Sequence, residues 1–271
     1  LYNCVARYVR EDGDERGMSL FFAHATGFNK EVWLPSIRAL ISSSCTPIYE
    51  VWLWEAVQHG DSALVNRHNL RGMVTWRDNA RDIHNFIINF MPDPHSNPSA
   101  VVLPRLPQTI SAQRASSGLM NRRLVVVGHS FGGCSSAITA LLHKGFAPLL
   151  HDLILVDPTI LSPETMHITD GTAQELAVRA LVRRDTWPNW QAVRQQFAST
   201  PMFQRWDPTA LDMYISHGSL TLRFLETHVV HLKTTPIDEA LVFADIRTSG
   251  LTYRCLPTLD PAVRLLWIMP G

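Results

Sequence analysis

Apolar residues in this chain fall into short, nearly continuous runs, and between the runs they recur every three or four positions. The runs are Met18 to Ala23 (MSLFFA), Ile48 to Trp54 (IYEVWLW), Leu124 to Val127 (LVVV), Leu153 to Val156 (LILV) and Val263 to Met269 (VRLLWIM). Their length and their β-branched and aromatic content predict buried strands. Asn3 to Val9 adds a first strand. Helical spacing predicts helices over Glu31 to Leu40, over Trp76 to Phe90 and over the small-residue segment Cys134 to Leu142; in the second, Ile83, Phe86, Ile87 and Phe90 share a face. Strand alternating with helix predicts an α/β fold with a mostly parallel sheet.

Two segments depart from that rhythm. Residues 92–123 carry Pro92, Pro94, Pro98, Pro104 and Pro107, which interrupt every candidate helix, so this stretch is expected to be a long surface insertion, with Val101 to Leu103 as an optional edge strand. Residues 161–257 are expected to form a helical cap, with its clearest helices over Ala173 to Arg184, Asn189 to Phe197 and Pro208 to His217. Trp187, Trp190, Phe203, Trp206, Tyr214 and Phe224 supply its large apolar faces; most belong to a core, and some should wall an apolar pocket. The organisation expected is thus a sheet core over 1–160, a cap over 161–257 and a return to the core over 258–271.

The totals narrow the function. With Lys+Arg and Asp+Glu at 24 each, no global field favours nucleic acid or an anionic membrane. No run approaches the roughly 18 apolar residues of a spanning helix. The cysteines Cys4, Cys45, Cys134 and Cys255 are scattered without ligand spacing, which predicts a reduced intracellular chain without metal or other cofactor. The chain begins at Leu1 and ends just beyond an apolar run, so a fragment lacking its last strand or strands is expected.

The chemistry centres on Gly128-His129-Ser130-Phe131-Gly132. A strand before it and a helix after it would put Ser130 at the tip of a sharp turn, the nucleophile elbow of α/β hydrolases; an ordinary glycine-rich turn is the bland alternative. A serine needs a base, an orienting acid and oxyanion donors. The Phe131 N–H is one expected donor. The other is assigned to the Thr26 N–H in His24-Ala25-Thr26-Gly27-Phe28, with Ala25 the adjacent alternative, and His24 is expected to brace that loop. Asp157, ending the strand after the elbow helix, is the acid candidate; the alternative is a residue after the last strand. His59 and His129 read as structural, and His217, His228 and His231 as surface or packing residues, so the base is expected beyond Gly271.

His24-Ala25-Thr26-Gly27-Phe28-Asn29-Lys30-Glu31-Val32-Trp33, His59-Gly60-Asp61-Ser62 and Gly128 to Gly133 together resemble a fungal branch of the α/β hydrolase superfamily. That branch includes peroxisomal lipase-like hydrolases and the hydrolases of host-selective toxin biosynthesis, of the AK-, AF- and ACT-toxin type. Val156-Asp157-Pro158 separately resembles the pancreatic-lipase branch of the fold, where the acid follows this strand. The resemblance implies a peroxisomal serine hydrolase acting on an ester or thioester of a small apolar acyl or polyketide-like substrate, such as an epoxy-decatrienoic acid moiety. The chain departs from the branch in carrying Glu55 where an Asp is usual, and in its Pro-rich insertion. A peroxisomal tripeptide is not found at Met269-Pro270-Gly271. A non-catalytic ligand-binding remnant is the reading from another class. An epoxide hydrolase is disfavoured because Ser130 stands where that chemistry needs a carboxylate. The oligomeric state is not encoded legibly.

Overall fold

The computed structural model describes residues 1–11, 17–43, 47–94, 96, 100–120, 122–221 and 228–270, with 166–170 as backbone alone. Its strands are β1 (Val5–Val9), β2 (Met18–Ala23), β3 (Ile48–Trp54), β4 (Leu124–His129), β5 (Asp152–Val156), β6 (Thr186–Trp187), β7 (Ser219–Thr221), β8 (Val230–Leu232) and β9 (Arg264–Ile268). The main sheet runs β1-β3-β2-β4-β5-β9; β1 is antiparallel to β3 and every other pairing is parallel.

Period-two alternation accounts for the two cores. Phe21 and Ala23 of β2, Trp52 and Trp54 of β3, and Leu124 and Val126 of β4 face one layer. That layer contains α3 (Trp76–Asn89) and α5 (Phe131–Leu142). Leu20 and Phe22, Val51 and Leu53, and Val125 and Val127 face the other layer, with Ile37 of α1 (Leu34–Ser43). A parallel strand buried on both faces reads as a continuous apolar run, which is why these strands were legible. Each large side chain so buried contributes about 1.5–3 kcal/mol. A short 3₁₀ turn, Lys30–Trp33, precedes α1. Helix α2 (Gly60–Asn66) follows β3 and was not anticipated from periodicity. Helix α3 starts at a capping box, Thr75 with Asp78, and buries Trp76, Ala80, Ile83 and Ile87 on one face.

The Pro-rich segment differs from expectation. It contains α4 (Gln108–Ser117), which occupies the proline-free stretch between Pro107 and Gly118. Prolines exclude a helix only where they fall inside it, and Pro107 sits at the N-cap. Residues 101–103 form no strand: Val101 is wholly exposed and Val102 mostly so, leaving them no sheet edge to join.

Between β5 and β9 the chain leaves the sheet. It forms α6 (Pro163–Val182), α7 (Trp190–Ser199), α8 (Pro208–Gly218), α9 (Pro236–Ala244) and α10 (Arg247–Cys255). A three-stranded antiparallel sheet in the order β6-β8-β7 interrupts the helices, where helices and loops alone were expected. Its strands are two or three residues long, too short to carry a period. Trp187, Val193, Phe197, Tyr214, Ile215, Val230 and Leu232 make a separate core here, against which Phe28 and Val32 of the sheet domain pack. Trp190 is more exposed, and Phe224 lies outside the described residues.

Candidate active site

The turn from β4 into α5 places Ser130 at φ 52° and ψ −116°, a left-handed conformation that a non-glycine residue holds only when its surroundings impose it. The Ser130 N–H donates to the Val156 carbonyl at 3.1 Å, and its carbonyl accepts from the N–H groups of Cys134 at 3.1 Å and Thr159 at 3.2 Å. Two glycines let the segments meet. A Cβ on Gly128 would lie 2.7 Å from the Gly133 Cα, and one on Gly132 would lie 2.5 Å from the Ala23 carbonyl oxygen. The Ala23 contact seats the elbow directly against the loop that follows β2.

That loop is braced by buried polar side chains. The His24 Nε2 accepts from the Ala56 N–H at 3.1 Å, so its Nδ1 carries the proton and donates to the Ala25 carbonyl at 2.8 Å. The His59 Nε2 accepts from the Gly27 N–H at 2.9 Å. Burial pushes His24 down to about 4 and His59 well below the usual histidine range, so both rings are neutral near pH 7. Gly27 holds φ 77°, and the Glu239 carboxylate packs where its Cβ would be. Glu239 in turn pairs with Arg183 at 2.6 Å. Among the described residues, neither the Thr26 nor the Phe131 N–H donates to a protein acceptor. Phe131 is the first residue of α5, where an unpaired N–H is intrinsic to the helix.

Lys30 anchors the far side of the loop. Its buried ammonium lies 2.9 Å from Glu31, 3.4 Å from Glu55 and 2.8 Å from Asp61, and Asp61 also binds Lys233, next to β8, at 2.6 Å. Burial acts to lower the Lys30 pKa, but Glu55 and Glu31 hold it above the usual range, so it stays charged. Glu55 also accepts from the Ser62 N–H at 3.0 Å. The block from His24 to Trp33 therefore joins the sheet domain to the β5–β9 excursion.

Asp157 follows β5 directly, at φ 40°, with its N–H on the Ile268 carbonyl at 2.7 Å. Its carboxylate is exposed and opposes the burial that lowers the neighbouring His129. The structure thus brings His24 against Phe131 and the elbow that holds Ser130, with Thr26 two residues further along the same loop and Asp157 at the adjacent strand end. One neighbour was not anticipated: the Thr159 hydroxyl lies 3.0 Å from Ser130 Oγ. Nothing in Asp157-Pro158-Thr159 signals that contact, because it depends on how β5 leaves the sheet.

A cavity of about 270 Å³ opens beside the elbow, lined by His24, Ala25, Phe28, His129, Trp206 and Ala210 among others. The Phe28 ring centroid is 5.0 Å from Trp206 and 5.9 Å from His129. A larger cavity of about 460 Å³, bounded by Asp93, Arg114 and Arg122, lies at the opposite end of β4 and does not reach this turn. Among the described residues no group of three or more His, Cys, Asp or Glu side chains is arranged to hold a metal ion. None of their helices is long and apolar enough to cross a membrane.

The sheet order, the strained serine between two close-packed glycines and the donor-bearing loop define an α/β hydrolase, and the chain belongs to the alpha/beta hydrolase family, whose profile matches residues 20–267. It is 28% identical over 193 residues to the type I acyl-CoA thioesterase mpaH of Penicillium roqueforti, covering 70% of this chain and 37% of the relative. It is 30% identical over 148 residues to peroxisomal membrane protein LPX1 of Saccharomyces cerevisiae, covering 54% and 32%. The abhydrolase domain-containing protein ACTT2-1 of Alternaria alternata is 34% identical over 99 residues, covering 36% and 34%. The matched stretches thus span about a third of these relatives' lengths. The crystal structure of the Saccharomyces cerevisiae peroxisomal alpha-beta-hydrolase Lpx1 superposes with a TM-score of 0.68 at 19% identity, covering 98% of this chain and 75% of that one.

Proposed function

We propose that this protein is a serine hydrolase cleaving an ester or thioester of an apolar acyl group through an acyl-enzyme. The observation that carries this reading is Ser130 at its left-handed φ, beside a loop with an unpaired N–H and next to an apolar cavity. In this reading Ser130 Oγ attacks the acyl carbonyl, and the Thr26 and Phe131 N–H groups receive the oxyanion. His24 keeps the loop in place as a neutral ring, and Asp157 is the acid that orients the base. The excursion from β5 to β9 acts as the cap over the acyl chain. Similarity to an acyl-CoA thioesterase favours a thioester, similarity to a yeast peroxisomal protein favours the peroxisome, and the resemblance of the His24 to Trp33 block to toxin-biosynthesis hydrolases favours a role in fungal toxin biosynthesis.

A fluorophosphonate probe is expected to label the full-length protein at Ser130, and Ser130→Ala is expected to abolish labelling and lower turnover by about 10³-fold or more. An unlabelled, inactive wild type would overturn the proposal. It would support the second reading, a ligand-binding protein without turnover. The Ser130 Oγ contact with Thr159, a hydroxyl that cannot serve as a base at neutral pH, is the observation favouring that alternative.

A further inference from the structure

Asn29 connects the cap to the loop that carries Thr26. Its Nδ2 donates to two consecutive carbonyls of α8, Met213 and Tyr214, each at 3.2 Å. The residue is 2% exposed, and its Oδ1 has no hydrogen-bond partner among the described residues. A buried acceptor without a partner is a cost that packing alone does not explain. Leucine would fill the volume without that cost. What asparagine adds is the pair of bonds to α8.

The first turn of the same helix borders the cavity. Asp207 and Ala210 line it, with Trp206 just before them, while His24, Ala25 and Phe28 form the facing wall. Phe28 also packs its ring edge against Tyr214 at 5.8 Å. Helix α8 therefore has one end on the cavity and its middle on Asn29, three residues from Thr26. A helix of this length moves as a rigid rod, so a group that fills the cavity holds α8, and α8 holds Asn29. Resting on the serine-hydrolase reading, we propose that Asn29 is a positioning residue that links acyl occupancy of the cavity to the placement of the Thr26 N–H. Acyl chains that fill the cavity are then turned over faster, and short ones leave the loop less ordered. The group favoured is a medium-length apolar acyl chain, since about 270 Å³ lies at the small end of ligand sites.

The test compares p-nitrophenyl acetate with p-nitrophenyl octanoate on the purified full-length protein, resolving kcat from KM. Wild type is expected to show a kcat for octanoate about tenfold above that for acetate. In Asn29→Ala that ratio collapses toward one, chiefly through loss of the octanoate kcat, while KM for octanoate changes by less than about threefold. Asn29→Asp, which puts acceptors against the Met213 and Tyr214 carbonyls, behaves the same way. A fall of both rates by the same factor overturns the coupling, because a merely structural role does not discriminate by chain length. If the Asn29 variants do not fold, Ala210→Leu carries the test by filling the cavity from the cap side. It is expected to raise the acetate kcat, and an unchanged or lowered acetate kcat overturns the coupling. A wild type that neither hydrolyses these esters nor labels at Ser130 overturns the hydrolase reading itself, and so is distinct from an active wild type whose variants lose both rates equally.

Discussion

The elbow and the loop after β2 lie side by side and hold their shapes by opposite means. At the elbow the backbone holds itself: the N–H and carbonyl of Ser130 bind Val156, Cys134 and Thr159, and bare glycines admit the neighbouring chain. In the loop the backbone is held by side chains that are long, polar and buried, namely His24, His59, Asn29 and Lys30. A turn made by backbone and glycine depends on local sequence. A turn made by side chains depends on distant elements arriving in place, and it inherits their pH sensitivity.

Substitutions that break each device in turn should show the contrast, beginning with the most severe. Gly132→Val would push a branched side chain into the Ala23 carbonyl and is expected to cost about 4 kcal/mol or more, read as loss of the cooperative urea transition. Gly27 is the loop's nearest counterpart, at φ 77° with the Glu239 carboxylate 2.5 Å from an added Cβ, but there the obstacle is the end of a side chain, which can shift, and not backbone.

The loop's signature is its response to acid. The folded-state pKa of His24 is depressed to about 4, against about 6.5 for an unfolded histidine. Between those values the unfolded chain binds more protons, so stability falls as pH drops from about 6.5 to 4. The shift is worth roughly 3 kcal/mol at the acid end, and the depressed His59 adds in the same sense. His24→Gln is expected to flatten that slope, measured as urea midpoints across the window; an equally steep slope in the variant would assign it elsewhere.

His59→Ala removes the acceptor for the buried Gly27 N–H and should cost about 2 kcal/mol at neutral pH. Hydrogen exchange at Gly27 should rise, with exchange at Ser130 and Cys134 little changed. Thr159→Val is the mildest, about 1 kcal/mol, since it takes only the Ser130 Oγ partner and leaves the elbow's backbone bonds intact. A larger loss there would mean that the Thr159 hydroxyl, and not the backbone, maintains the turn.

The same division explains what was readable. Strands β2 to β5 were legible because burial on both faces makes most of their length apolar, whereas β9 is apolar yet largely exposed; the elbow was legible because strand, glycine pattern and small-residue helix are contiguous. In the Pro-rich segment the prolines, spread over the whole stretch, hide α4, which needs only the ten residues between Pro107 and Gly118. The β6-β8-β7 sheet leaves no trace in the sequence because its strands are too short to carry a period.

By itself the sequence determined the alternation of strand and helix, the position of Ser130 and the kind of turn it occupies, since these follow from short-range patterns of burial and backbone freedom. Only the tertiary structure decided that His59 holds Gly27, that Glu239 packs beneath it, that Asn29 grips α8 and that Thr159 meets Ser130. These contacts join residues 29 to 212 positions apart. Their partners are single polar side chains. A lone buried polar residue leaves no periodic trace, and its meaning is set by whatever the fold brings within hydrogen-bonding distance.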